Sequence, residues 1–196
     1  MSGITPSQTV GPFFAYGLTP NGKYDWVDTF SNNLTTPDAA GERIRIEGRV
    51  FDGDGKPIPD SMIEIWQADA QGRYANPADQ RARPNTTFTG FGRCGSDENG
   101  EYRFDTVKPG PVPGPNGRTQ APHIMLTIFA RGMLRQSYTR VYFDDESSNA
   151  GDSILALVPS DRRDTLIAKR EVKNGQPVYT FHIHMQGDRE TVFFEV

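Results

Sequence analysis

Polar and apolar residues alternate over Arg43-Ile44-Arg45-Ile46-Glu47-Gly48-Arg49-Val50. Successive side chains of a strand point to opposite faces, so this period of two predicts a half-buried strand. Asp52-Gly53-Asp54-Gly55 and Lys56-Pro57 follow with a turn composition. Met62 to Ala68 predicts the next strand. Ser96-Asp97-Glu98-Asn99-Gly100 has the composition of a hairpin turn and leads into a strand from Glu101 to Phe104. The apolar run from His123 to Ala130 predicts a buried strand, and Ser137 to Phe143 alternates again. Val178 to Met185 and Thr191 to Val196 predict a closing pair around Gly187-Asp188. Helix signals are confined to one short turn near Ser160 to Arg163.

Between these segments lie irregular ones. Asn76 to Thr89 is polar and aperiodic. Lys108 to Pro122 holds five prolines and three glycines in fifteen residues, which excludes helix and central strand. Loops of that length carry function or contact partners. Residues 1–40 lack periodicity and predict an arm that docks on a partner chain; residues 41–196 predict the folded domain. The fold class expected is all-β: a single-domain sandwich of about eight strands with long loops and an N-terminal arm.

The 196 residues are enough to bury a core without staples. A net charge of −4 gives no electrostatic footprint for nucleic acid. No segment approaches the roughly 18 apolar residues of a membrane span. The first residues lack the charged-then-apolar layout of a signal peptide, and the single cysteine, Cys94, permits no intrachain disulfide. These features predict a cytoplasmic protein that binds neither nucleic acid nor membrane. Cys94 itself reads as a small, half-buried residue rather than a nucleophile, since no histidine lies near it in sequence.

Two of the three histidines, His182 and His184, stand two apart in Phe181-His182-Ile183-His184-Met185-Gln186-Gly187. On a strand both face one side, and imidazole binds zinc, copper or iron. A pair supplies only half of a typical coordination set, so the plainer reading is a strand with a polar face; Glu190 or Glu195 are the carboxylates that could complete a site. The Asp/Gly run at 52–55 lacks the later ligand positions of a calcium-binding hand.

Four stretches, "IEIWQADAQGRY", "GFGRCGSDENGEYRF", "VKPGPVP" and "APHIMLTIFARG", together with "PSQTVGPFF" near the start and "TLIAKR…QGDRETVFFEV" at the end, resemble the intradiol ring-cleavage dioxygenases over nearly the whole chain. The resemblance implies chemistry at a ferric ion held by two tyrosines and two histidines. Carried over, the first tyrosine is Tyr74. The second falls in a Pro-Gly-Pro-Tyr-Pro loop that here reads Pro109-Gly110-Pro111-Val112-Pro113. The histidines fall in an Arg-Pro-Ala-His-Ile-His segment that here reads Gln120-Ala121-Pro122-His123-Ile124-Met125. Val112 offers no donor atom, and the Met125 thioether suits hard Fe³⁺ poorly. The expectation is that this chain binds no metal.

In its alpha-type members the family pairs such a chain with an iron-bearing beta chain in a multimer of αβ units, and the active site lies between them. The resemblance then implies Fe(3+) on the partner beta chain. It implies a pocket completed here by Thr9, Gly11, Pro12 and Phe13 and by Arg131, the residue expected to act in catalysis. Gly11 and Pro12 allow close backbone approach, Phe13 an apolar wall, Thr9 a hydroxyl, and Arg131 a counter-charge. The reaction implied is cleavage of protocatechuate (3,4-dihydroxybenzoate) with O₂ to 3-carboxy-cis,cis-muconate. Two other roles are compatible with the residues: a purely structural subunit stabilising the beta chain, and a non-catalytic sandwich that binds a small ligand.

Overall fold

The computed structural model describes residues 7, 9–11, 16–19, 29–82 and 86–195. In chain order the strands are β1 (Arg43–Phe51), β2 (Met62–Trp66), β3 (Phe91–Gly95), β4 (Glu101–Val107), β5 (Val112–Pro113), β6 (Thr119–Gln120), β7 (His123–Phe129), β8 (Ser137–Phe143), β9 (Ile167–Lys173), β10 (Gln176–Thr180) and β11 (Ile183–His184). Eight of them are five residues or longer, the number that the alternation predicts. One layer runs β4-β1-β10-β9 and the other β3-β2-β7-β8. The two are joined by β9: Ile167 and Ala168 pair with Tyr142 and Phe143 of β8, and Lys169 to Lys173 pair with β10.

The core lies between the layers. Ile44, Ile46 and Phe104 from the first meet Ile63, Ile65, Leu126 and Ile128 from the second, all at 1% exposure or less. Each such side chain contributes about 1.5–3 kcal/mol when buried. The opposite edge, where β3 and β4 diverge, is bridged by residues 31–34. Arg93 of β3 donates its backbone N–H to Ser31 O, Leu34 N donates to Asp105 O of β4, and Asp105 N to Asn32 O. Backbone groups of both edge strands are thereby satisfied.

Several elements differ from expectation. The turn at Ser96–Gly100 does not close a hairpin; it carries the chain from β3 in one layer to β4 in the other, where β4 pairs with β1. The expected strand from Val178 to Met185 is broken at Phe181. The Phe181 carbonyl accepts the Tyr102 hydroxyl at 2.6 Å and lies where a Cβ on Gly48 would stand, so the ladder resumes only at β11, parallel to β1. Thr191 to Glu195 forms no strand; one bridge joins Phe194 to Tyr138. β3 and β9 were not anticipated. The Pro-rich loop contains the two-residue ladder β5–β6 with a single 3-10 turn, Pro115–Gly117, between its strands.

Candidate functional site

Alternation along β7 sends Ile124, Leu126 and Ile128 into the core and His123, Met125, Thr127 and Phe129 to the outer face. On that face Met125 is in register with Trp66 of β2 and Arg140 of β8, and His123 with Tyr142. Tyr74 stacks on Trp66, ring centroids 5.9 Å apart. Val112 is in register with Gln120, whose side-chain oxygen accepts from Arg140 Nη1 at 2.7 Å. The four positions that the resemblance assigns to metal ligands, Tyr74, Val112, His123 and Met125, therefore gather at one end of the sheet.

Their chemistry does not fit a ferric ion. Burial pushes the Tyr74 phenol up, against the pull of the Arg140 and Arg81 charges, so it keeps its proton. His123 Nδ1 lies 2.8 Å from Ala121 O; a carbonyl only accepts, so Nδ1 carries the proton and Nε2 keeps its lone pair. Burial, reinforced by the Arg140 charge, depresses His123 to about 4, leaving it neutral at pH 7. One imidazole is thus available. Val112 contributes a hydrocarbon and Met125 a thioether. Arg140 supplies a fixed cation: it bonds Gln120, reaches the Tyr142 hydroxyl at 3.4 Å and lies 5.9 Å from the Phe194 ring centroid. Among the described residues no group of three or more His, Cys, Asp or Glu is placed to hold a metal.

The other end of the same sheet carries a different set. Six steps of ~3.3 Å put His123 and Phe129, the ends of β7, about 20 Å apart. Just beyond Phe129 stands Arg131, with a side chain 62% exposed. Asp60, in the turn before β2, takes one edge of its guanidinium: Nη2 to Oδ2 at 2.5 Å and Nε to Oδ1 at 3.3 Å. That carboxylate raises the Arg131 pKa further. Gly132 N donates to Thr9 Oγ1 at 2.7 Å, so Thr9 is bound to the residue that follows Arg131, 123 positions further along the sequence. Gly11 follows two residues later with no heavy atom near its would-be Cβ. Pro12 and Phe13 lie outside the described residues.

The histidine pair goes elsewhere. His182 Nδ1 accepts the Arg49 backbone N–H at 3.2 Å, and His184 stacks on Phe51 at 5.0 Å. Burial and the charges of Arg49 and Arg189 lower the His182 pKa; burial, Arg189 and His182 lower that of His184. The two rings flank Phe51 on the β1–β11 face, away from Tyr74 and His123. Cys94 is half-buried and donates its thiol to Gly95 O. Asp52 Oδ1 accepts from Asp54 N and Lys56 N, closing a turn rather than presenting a calcium loop. Two residues of the site were missed by sequence reasoning, Arg140 and Asp60. Alternation over β8 places Arg140 outward; nothing local marks Asp60 beyond its following a proline.

The family model described as "Dioxygenase" matches residues 11–187. The alpha chain of protocatechuate 3,4-dioxygenase from Burkholderia cepacia is 48% identical over 98% of this chain and 97% of its own. The beta chain of the same enzyme from that organism is 37% identical over 79% of this chain and 66% of its own. Among solved structures, an intradiol ring-cleavage dioxygenase from Tetranychus urticae superposes with a TM-score of 0.63 at 20% identity, over 82% of this chain and 88% of that one. Among the described residues no helix is long and apolar enough to cross a membrane. The match to the family model over most of the chain and the full-length similarity to a curated member place this chain in the intradiol ring-cleavage dioxygenase family, whose chemistry depends on non-haem iron.

Proposed function

We propose that this chain is the alpha-type, metal-free subunit of an enzyme that cleaves protocatechuate with O₂, and that it completes a pocket whose ferric ion sits on a beta-type partner in a cytoplasmic αβ multimer. The observation that carries this reading is the division of the outer sheet face. The position matching the family's metal site lacks a fitting donor set and holds a guanidinium. Arg131, with Thr9 bound to the neighbouring Gly132, lies about 20 Å away, too far to serve that position. A functional role for them therefore points to a site on another chain. The resemblance of both an alpha and a beta chain to this one supports a partner of the same fold.

The overall reaction breaks the ring bond between the two hydroxyl-bearing carbons. Both atoms of O₂ enter the product: 3,4-dihydroxybenzoate becomes 3-carboxy-cis,cis-muconate, and two protons leave as the two new carboxyl groups ionise. The iron on the partner is what makes the catechol reactive toward O₂. The work of this chain is binding and orientation. Arg131 offers Nη1, which makes no hydrogen bond among the described residues, to the substrate carboxylate, a charge-assisted contact. Residues 31–34 belong to this chain's own sheet edge, so the docking part of the arm is the segment ahead of them: anchored by Thr9 at Gly132, it brings Gly11, Pro12 and Phe13 along the ring.

The test is Arg131→Ala in the assembled αβ enzyme, with iron content and assembly measured alongside turnover. The expected result is a KM for protocatechuate raised about tenfold or more, with catechol, which lacks the carboxylate, unaffected. Unchanged turnover would leave a structural subunit. A chain that stays soluble and monomeric beside the beta chain would favour the small-ligand-binding sandwich.

A further inference from the structure

Asp60 is one of three non-glycine residues with positive φ among the described residues, at 56°. That conformation is uncommon for an L-residue, though aspartate tolerates it better than most. It persists where surroundings over-determine it, and such positions cluster at functional sites. The surroundings here are specific. Ser61, immediately after Asp60, is fully buried, and so nearly is Ser96. Ser61 N donates to Ser96 Oγ at 2.9 Å, the two hydroxyls lie 2.7 Å apart, and Ser96 N donates to Ser61 O at 2.8 Å. Ser96 Oγ also donates to Ile58 O at 2.9 Å. The turn carrying Asp60 is thus clamped on both sides by one buried serine of the opposite connection.

The Asp60 carboxylate projects from this clamped backbone and is itself half exposed. It grips Arg131 through Nε and Nη2, a two-point contact that fixes the plane of the guanidinium as well as its position. Arg131 otherwise stands in solvent on a long side chain with several rotors. The same contact leaves Nη1 without a hydrogen bond among the described residues. On the far side the backbone after Arg131 is held by Thr9. An exposed ion pair contributes little stability, so fold maintenance is a poor reason for this arrangement.

We propose that Asp60 is a positioning residue: held rigid by the Ser61–Ser96 clamp, it presents the free edge of Arg131 to an anionic group of the substrate. This rests on the reading of Arg131 given above.

The experiment is a double-mutant cycle in the assembled αβ enzyme, reading kcat and KM for protocatechuate together with iron content. Asp60→Asn is expected to raise KM about tenfold with kcat little changed, since a neutral amide grips a guanidinium poorly. Asp60→Asn added to Arg131→Ala is expected to change nothing further, because it acts only through that guanidinium. Catechol serves as the internal control and is expected to respond to neither change. If Arg131→Ala impairs the enzyme and Asp60→Asn does not, the positioning role falls while the proposed function stands. If Asp60→Asn lowers activity equally with Arg131 absent, its effect is structural and the inference is overturned. If Arg131→Ala itself has no effect, the proposed function fails first.

Discussion

Restoring the missing ligands should not by itself restore a metal site, because Arg140 occupies its surroundings. The perturbation is Val112→Tyr with Met125→His, made with and without Arg140→Gln. Arg140 and Met125 are direct cross-strand neighbours, so their Cβ atoms stand about 5 Å apart on one face. A ferric ion held by a histidine at position 125 would share that face with the guanidinium, and about 5 Å is taken as their separation. Two phenolates leave the Fe³⁺ centre with a net charge of +1. Two unit charges about 5 Å apart at an effective dielectric constant of about 20 repel by about 3 kcal/mol. That is on the order of a hundredfold in affinity. The assay is iron per αβ pair, with the visible absorption of a ferric phenolate. On the proposed function, the double variant is expected to stay at one iron per αβ pair. The triple variant, with the cation removed, is expected to gain a second iron and deeper colour. A double variant that loads two irons with Arg140 in place would refute the argument.

Gly48→Ala should cost more than about 3 kcal/mol in a denaturant titration, since the added Cβ would fall 1.8 Å from Phe181 O. Asp152→Ala should cost a similar amount: the fully buried carboxylate accepts from Ala121 N, Ile154 N, Leu155 N and the Tyr142 hydroxyl, and its loss strands all four donors. His123 is held near 4 when folded and near 6.5 when unfolded, so the unfolded chain binds the extra proton and stability falls as pH drops through that window. The loss between pH 7 and pH 5 should be about 2 kcal/mol, and His123→Phe should remove that acid sensitivity, as read by unfolding midpoints at the two values.

The strands legible in the sequence are those with one dry face and one wet face. β1, β4 and β8 alternate because the core lies on one side and solvent or the outer pocket on the other. β9 escaped because its last five residues, Lys169 to Lys173, are all exposed, leaving no period to detect. β3 escaped because two of its five residues are glycine; Gly92 makes room for Leu34, whose Cδ1 would lie 2.5 Å from an added Cβ. Loss of the metal donors was legible at Val112 and Met125, because a ligand is a matter of residue type. What replaced the metal was not. The Arg140–Gln120 contact spans twenty positions and the Arg131–Asp60 contact seventy-one, and neither has a local signature.

A metal with four protein ligands also ties together the segments that supply them, and a chain without it must hold those segments otherwise. Here each is held by direct contacts. The loop bearing Tyr74 is fixed to the Pro-rich loop where Gly72, at φ +74°, lets Pro111 O approach to 1.8 Å of a would-be Cβ, and Gly110 N donates to Asp69 O. Arg140 joins β8 to β6 through Gln120. Asp152 joins the segment ahead of His123 to Tyr142 on β8. Two of these ties, Arg140–Gln120 and the Asp152 carboxylate, run through buried or half-buried polar side chains. They predict that the lone positions Tyr74 and His123 stay in place when iron is stripped from the assembled enzyme. On the proposed function, chelation should abolish turnover and bleach the ferric colour without exposing Trp66, whose stack on Tyr74 makes its fluorescence a direct report on this end of the sheet. A large shift of that emission on chelation, with the beta chain's own tryptophans accounted for by substituting Trp66→Phe, would mean that these contacts do not replace the metal's structural role.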